Sequence, residues 1–346
     1  MTDKQTTDVG DVSESRRNVP IKQESKRHHH VPQLYLKRWC DKHNKLYEFR
    51  RFIKNTEVKS HPKSTKHTGF AWNCYDLDGL SSVFPTLGKT HLEDSFFKSI
   101  DQSADRSLIL LNNLEIPSSN EDRSSFAVFL ISLVVRNPWF FKSMRSEFNG
   151  SDFKKLVSES SVVNRTLEFS HLPAKENCLD SACALFFEEI IVNKNIVDNI
   201  INCHWELACD ENARLLTSDA PVWWSGFGDN DSDFFAMLSI SPSLSLIIGN
   251  SARTVDIVKN SRSLFKQYND NICKQAFEMV YSNNQKQTRF IENRLGIFGE
   301  YFGLSNYKFM EFFDAHRCGE YPSPIDERLV NMRSYLHEVS DVDSVK

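Results

Sequence analysis

Three consecutive histidines, His28, His29 and His30, stand directly before a Val31-Pro32 pair. Histidine is the side chain that most readily binds a metal ion or carries a proton near neutral pH, and three adjacent imidazoles are difficult to explain by packing. The run also marks the point at which a polar N-terminal segment gives way to an apolar, aromatic sequence. We therefore expect these histidines to be among the first ordered residues and to take part in chemistry.

Two further charged residues fall on helix faces that should be apolar. On a helical wheel, Glu93 lies within about 20 to 40° of the middle of the apolar stripe of its predicted helix. Asp101 lies about 80° further round the same helix. Arg136 is in line with the apolar residues of the next helix. Because a buried charge is costly unless it is paired, we predict that Arg136 forms an ion pair with Glu93 or Asp219. A structural pair and a role in a site both remain open.

Ser218 and Asp219 stand before an Ala220-Pro221 pair, at the end of a predicted strand. Proline holds the preceding residue in an extended conformation, so both polar side chains are displayed at a strand end, where site residues are common. A Ser-Asp pair before proline is also typical of a turn. The sequence leaves both interpretations open.

Other chemical motifs are weak or absent. A structural zinc site usually has two close ligand pairs, and the chain offers only Cys40-x-x-His43 and the loosely spaced His67 and Cys74. We therefore expect Cys40 to be a core thiol. The chain has no glycine-rich phosphate loop, no His-Glu-x-x-His and no Gly-x-Ser-x-Gly. The common nucleotide-binding and serine-hydrolase templates are therefore unsupported.

The elements that must position these residues are mainly helices. An apolar stripe between Gly88 and Leu114 predicts one helix. Ser118-Ser119 followed by two acids predicts the start of a second, which runs towards Phe148 with a kink or break at Pro138. Further helical segments are predicted over 180–201, 263–281 and 287–295. The predicted strands are 45–50, 235–240, 244–248 and a β-hairpin that joins 205–209 to 214–217.

The composition is that of an ordinary folded protein. Hydrophobic residues make up 40% and charged residues 25% of the chain, and 26 phenylalanines with only 12 glycines favour helices over an all-β design. The eight cysteines include no Cys-x-x-Cys pair, and no secretory signal or spanning apolar run is evident. We expect a cytoplasmic protein with no membrane partner. The predicted class is α+β, a mostly helical single domain with a small antiparallel sheet built from hairpins.

Charge is unevenly distributed along the chain. The segment Lys22 to His67 contains 13 Lys or Arg against four acids, although the whole chain carries a net charge of −4. This basic segment is a candidate for binding nucleic acid, and pairing with the acidic remainder of its own chain is the alternative. Residues 1–27 have almost no apolar content and are predicted to be a disordered tail. A domain is predicted over 28–300, with 28–78 as a basic, His-rich module packed on it, and 301–346 as a C-terminal extension.

Five blocks follow one another along the chain. They are His28 to Leu36, the acids Glu93 and Asp101, Arg136-Asn137-Pro138, Thr217 to Pro221, and Ser239 to Pro242. Taken in this order, they resemble one family, the domain of unknown function 4238 (DUF4238). The resemblance spans roughly Arg27 to Tyr281 and implies no established activity. The sequence departs from the family pattern at Trp39, Asp101 and Ala220, where the family usually has Phe, Glu and often Asn. The candidate catalytic residues that result are His28, His29, Glu93, Arg136, Ser218 and Asp219.

Two hypotheses follow from this set of imidazoles, carboxylates, guanidinium and hydroxyl. The first is a cytoplasmic metal-dependent hydrolase, nuclease-like with a phosphodiester substrate, of a bacterial or mobile-element (phage) defence type. In it His29, with His28, is a ligand or general base, Glu93 and Asp219 are ligands of a divalent metal, and Arg136 stabilises developing negative charge. The second is a non-catalytic interaction or sensor protein in which the same residues form a structural network.

Overall fold

The structure is a computed structural model that describes residues 27–51, 57–77, 89–137, 140, 188, 190–225 and 234–297. Within these ranges helices combine with antiparallel sheets, which confirms the predicted α+β class. Of the tail predicted over 1–27, residues 1–26 lie outside the described residues, whereas Arg27 begins the first strand. The kink predicted at Pro138 and the extension predicted over 301–346 also lie outside the described residues.

The described residues contain one short helical turn near their start, followed by further helices with buried apolar residues. They are α1 (Gln33–Leu36), α2 (Lys98–Asn112), α3 (Asn120–Val135), α4 (Lys194–Asn202), α5 (Ala252–Lys259), α6 (Leu264–Gln275) and α7 (Thr288–Glu292). A π-helical turn, Leu92–Phe97, leads into α2, and 3-10 turns occupy Lys37–Trp39 and Thr65–His67. The Ser119 hydroxyl accepts the Asp122 N–H at 3.1 Å, which confirms the predicted start of α3.

Three antiparallel sheets are present in the described residues, rather than the one small sheet that was predicted. Their orders are β1-β4, β3-β2-β10-β6 and β5-β9-β8-β7. The strands are β1 (Arg27–His29), β2 (Leu46–Arg50), β3 (Lys59–Lys63), β4 (Phe70–Trp72), β5 (His204–Cys209), β6 (Thr217–Ser218), β7 (Val222–Ser225), β8 (Phe235–Ser241), β9 (Leu244–Gly249) and β10 (Met279–Ser282).

The hairpin predicted between 205–209 and 214–217 is wrong. β5 pairs with β9, with Trp205 opposite Ile248, and β6 pairs instead with β10. The turn itself exists, because the Asp210 carboxylate accepts the N–H groups of Asn212 and Arg214. Local turn chemistry fixes the reversal of the chain but not the partner strand. The helix predicted over 263–281 likewise ends at Gln275, before strand β10.

The sheet β5-β9-β8-β7 is buried on both faces. Successive side chains of a strand point to opposite faces, so Leu246 and Ile248 pack in the cluster that contains α2 and α3, whereas Ile247 packs in a second cluster with α6. Helix α3 is buried all round over 124–135, as expected of a helix that is hydrophobic on every side. No helix among the described residues is long and apolar enough to cross a membrane.

Candidate functional site

His29 and Glu93 are in direct contact. The backbone N–H of His29 donates to Glu93 Oε1 at 3.1 Å, and His29 Nδ1 lies 3.7 Å from the same oxygen. The two side chains are 15% and 14% exposed. The remaining polar atoms, His29 Nε2 and Glu93 Oε2, are buried without a hydrogen-bond partner in the described part of the chain. The structure therefore brings together two predicted site residues that are 64 positions apart.

The π-helical turn Leu92–Phe97 explains where Glu93 points. A π-turn closes an i→i+5 hydrogen bond and contains more residues than an α-helical turn. It therefore reduces the angular offset of about 80° that eight α-helical residues would place between Glu93 and Asp101. Both carboxylates line the same cleft. Single π-turns of this kind are frequent at functional sites.

Arg136 follows α3 and is fully buried, as predicted, but its partner was predicted wrongly. Its Nη1 lies 3.0 Å from Asp101 Oδ1, so the pair is with neither Glu93 nor Asp219. Burial raises the pKa of Asp101, and the Arg136 guanidinium opposes that rise. The rings of Phe97 and Phe129 flank the guanidinium, with centroids 5.5 and 5.7 Å away.

Antiparallel packing of α2 and α3 accounts for this partner. Near the other end of the pair, the Ser107 hydroxyl donates to the Asp122 carbonyl at 2.7 Å. The end of α3, with Arg136, is therefore opposite the start of α2, with Asp101.

Tyr75 connects two of the predicted site residues and was missed in the sequence. Its backbone N–H donates to His28 Nδ1 at 2.9 Å, and its hydroxyl donates to the Arg136 carbonyl. His28 is fully buried, stacks on the Tyr75 ring and turns Nε2 towards Asp76 Oδ1 at 3.5 Å. Because Nδ1 accepts, the proton of the neutral ring is on Nε2, where it faces the carboxylate. His28 therefore holds the 75–76 segment in place.

Ser218 and Asp219 are both buried and satisfied within the chain. The Asp219 carboxylate accepts the backbone N–H groups of residues 277–279 at 2.7 to 3.0 Å, just before and at the start of β10. Burial raises the pKa of Asp219 to about 7, against these donors, which favour the charged form. The Ser218 hydroxyl accepts the Ala220 N–H at 3.1 Å. The Asp219 side chain therefore holds the chain that follows β6 to the start of β10, whereas the Ser218 hydroxyl bonds within its own segment.

Three of the six candidate catalytic residues, His29, Glu93 and Asp219, each line one of two clefts. The first, which we name the helix cleft, has a volume of about 630 Å³. The second, which we name the sheet cleft, has a volume of about 690 Å³. The helix cleft is lined by His29, Gln33, Leu34, Lys37, Glu93, Phe97, Lys98, Asp101, Gln102 and Asp105. The sheet cleft is lined by His30, Glu48, Arg50, Lys63, His67, Thr68, Gly69, Phe70, Ala71, Trp72, Asn137, Asp219, Phe277, Glu278 and Met279.

The predicted metal ligands His29, Glu93 and Asp219 do not meet in one cluster. His29 and Glu93 line the helix cleft, whereas Asp219 lines the sheet cleft. Over the ranges that the structure describes, no three His, Cys, Asp or Glu side chains are grouped so that they could hold a metal ion. Cys40, considered above as a zinc ligand, is half-buried, with its thiol 3.9 Å from the Leu36 carbonyl.

The comparison with protein families decides the relationship. The model for a protein of unknown function, DUF4238, matches residues 27–286 of the chain. The chain belongs to the DUF4238 family. Comparisons with curated proteins and with solved structures give no match.

Tyr35 joins three of the blocks that define the DUF4238 resemblance. Its hydroxyl lies 2.8 Å from Thr217 Oγ1 and donates to the Ser239 carbonyl at 2.8 Å. Asn137, from the Arg-Asn-Pro block, donates through its side chain to the Asp219 carbonyl. The DUF4238 blocks are thus in mutual contact, partly through hydrogen bonds that hold the fold together.

The floor of the sheet cleft contains polar residues that were not predicted to belong to a site. Glu48 is buried and accepts the Thr68 hydroxyl, which also lies 3.2 Å from the Tyr281 hydroxyl. Burial lowers the pKa of His30 to about 3, and the positive charge of the Arg136 guanidinium acts in the same direction. A signal for Glu48 was present, since strand alternation places it on the same face as the buried Leu46. In this DUF4238 protein His30 is therefore a neutral imidazole.

Proposed function

We propose that the protein is a hydrolase whose acid–base centre is the His29–Glu93 pair in the helix cleft. The supporting observation is that the two side chains touch at the wall of a cleft while each keeps one polar atom without a partner. Buried polar atoms of native proteins nearly always have a hydrogen-bond partner. A substrate group or an attacking water molecule would supply the missing hydrogen-bond partner of each side chain.

The pair is suited to move one proton in each direction. Glu93 orients the imidazole and stabilises its charged form, so that His29 removes a proton from water as hydroxide attacks the substrate. With a phosphodiester, a new P–O bond forms to the hydroxide, the P–O bond to the leaving group breaks, and His29 returns the proton to the leaving oxygen. Lys37 and Lys98 line the same cleft and supply positive charge for the developing negative charge.

Arg136 has a positioning role in this proposal. Its guanidinium is fully buried, and the residue is not among those that line the helix cleft. It neutralises Asp101 from behind the cleft wall, so the role of stabilising negative charge passes to the lysines. No third ligand stands beside His29 and Glu93 in the described residues. The assay therefore tests whether the predicted divalent metal takes part in the reaction.

The test is hydrolysis of bis(4-nitrophenyl) phosphate and of labelled oligonucleotides, with Mg²⁺, Mn²⁺ or Zn²⁺ added and with a chelator. General acid–base groups contribute about 10² to 10⁴ in rate, so His29→Gln and Glu93→Gln should each lower the rate at least 100-fold. Asp105→Asn is the matched control, since Asp105 is an exposed carboxylate on the same cleft. Its rate should stay within about threefold of wild type. Equal rates for Glu93→Gln and wild type would reject the proposal.

The second candidate is a non-catalytic interaction or sensor protein. Specific observations favour it for part of the set, because His28, Ser218 and Asp219 all bond to neighbouring parts of their own chain. This candidate would be favoured if the folded protein hydrolyses none of the substrates above under any of the metal conditions, and if His29→Gln nevertheless abolishes binding of a partner.

A further inference from the structure

The small sheet β1-β4 exposes a face made of cationic and aromatic side chains. Arg27 is opposite Trp72 and His29 is opposite Phe70 in the antiparallel register, so all four side chains share one face. His28 is on the other face and is fully buried. We name the four-residue side the outer face. Its Trp72 is 62% exposed, an unusual state for so large an apolar side chain.

The rings of the outer face form a continuous series that ends at the proposed acid–base pair. The Arg27 guanidinium lies 5.1 and 5.3 Å from the ring centroids of Phe70 and Trp72, which are themselves 5.5 Å apart. The His29 ring is 5.7 Å from Phe70. Phe70 and Trp72 line the sheet cleft while His29 lines the helix cleft. The outer face therefore connects the two clefts.

Positive charge lies beside these rings. Lys63 lines the sheet cleft, and the Lys66 carbonyl accepts Arg27 Nη1 at 3.3 Å, which places the 3-10 turn Thr65–His67 against the outer face. Lys66 itself is exposed.

Within the described residues, the acids of the sheet cleft have partners in the chain, although only one of them has a cationic partner. Glu278 forms an ion pair with Arg50, and Glu48 accepts the Thr68 hydroxyl. The Asp219 carboxylate is held by three backbone N–H groups. In the part of the chain that the structure describes, Lys63 and Lys66 form no ion pair with an acid, so their charge is available to an anionic ligand at the rim.

We infer that the outer face binds a single-stranded nucleic acid, with a base stacked on Trp72 and phosphates beside Lys63 and Lys66. Aromatic side chains next to a positively charged groove are the combination by which proteins hold single strands without reading their sequence. This inference rests on the proposed function, because a strand on the outer face passes His29 and makes a single-stranded phosphodiester the substrate class. A double helix hides its base faces and would not stack on Trp72.

The experiment measures binding apart from hydrolysis. Fluorescence anisotropy of labelled 12-nucleotide single-stranded DNA and RNA is recorded with Glu93→Gln protein, which keeps the outer face intact. Stacking of one base is worth about 1 to 3 kcal/mol, so adding Trp72→Ala should weaken binding roughly 5- to 150-fold. Ile257→Ala is the matched control, because Ile257 is also 62% exposed but lies on α5. It should leave the affinity unchanged.

A second variant keeps the test decisive if Trp72→Ala does not fold. Single-strand binding loses about 0.7 of logarithmic salt slope for each phosphate contact removed, so Lys63→Ala with Lys66→Ala should lower the slope by roughly 1.4. Comparison of the DNA and RNA arms identifies which nucleic acid is preferred. An unchanged affinity in both variants, or equal affinity for duplex and single strand, would overturn the inference. Binding without turnover in the wild-type protein would instead overturn the proposed hydrolysis alone.

Discussion

Replacement of Asp101 by asparagine should destabilise the protein through Arg136. Breaking a buried ion pair by removing one charge costs about 3 to 5 kcal/mol, because the other charge stays buried without compensation. Two features lower this figure here: Asp101 is 23% exposed, so water reaches its side of the pair, and two phenylalanine rings remain against the guanidinium. We therefore expect a loss of about 2 to 3 kcal/mol in the free energy of unfolding.

Urea denaturation followed by fluorescence measures this loss. Glu93→Gln is the control, because Glu93 is not the partner of Arg136 and a glutamine oxygen still accepts the His29 N–H; it should cost less than about 1 kcal/mol. Combining Asp101→Asn with Arg136→Met removes the orphaned charge and should restore most of the stability. The reasoning is refuted if Glu93→Gln costs as much as Asp101→Asn, or if the double variant is no more stable than the single one.

Two further variants test the buried residues of the sheet cleft. The pKa of His30 is about 3 in the folded protein and about 6.5 in an unfolded chain, so the unfolded state alone takes up a proton as pH falls below 6.5. The free energy of unfolding should therefore be unaffected by His30 above pH 6.5 and should fall as pH decreases towards 3, by about 2 kcal/mol at pH 5. Denaturation of wild type and of His30→Gln across this pH range measures the fall, which only wild type should show. Parallel pH curves for the two proteins would contradict this prediction. Asp219→Asn turns an amide NH₂ towards backbone N–H donors and should lower the free energy of unfolding by about 2 to 3 kcal/mol. The hydrolysis rate per folded molecule should stay at the wild-type level, and a thermal melt with an activity assay checks both expectations. A stable but inactive Asp219→Asn protein would show instead that Asp219 is catalytic.

Local signals in the sequence located helices and buried positions, but they did not fix every helix end, because the helix predicted over 263–281 ends at Gln275. The Ser119 cap, the apolar stripe of α2 and the buried position of Arg136 follow from spacing alone, and all are found. Contacts between residues that are far apart in the sequence could not be predicted from such local signals. Strand β5 carries no residue that distinguishes β9 from the chain after the Asp210 turn, so the hairpin prediction failed.

The candidate site shows the same division. His29 and Glu93 were predicted to share a site, and they touch. Their separation from Asp219 depends on how two sheets are placed, which spacing along the chain does not encode. The wheel also assumed α-helical geometry, whereas the π-turn before α2 alters the position of Glu93 relative to Asp101. The suggested role in defence stays a prediction.

The position of β10 has a consequence for synthesis of the protein on the ribosome. Strand β2 lies between β3 and β10, and Arg50 is 228 residues before its ion-pair partner Glu278. At a translation rate of about 5 to 20 residues per second, a nascent β2 therefore waits roughly 10 to 50 s with one edge unpaired. An open strand edge is a template for pairing with another chain. Expression of this protein should thus depend on chaperones that cover the β2 edge until β10 has left the ribosome.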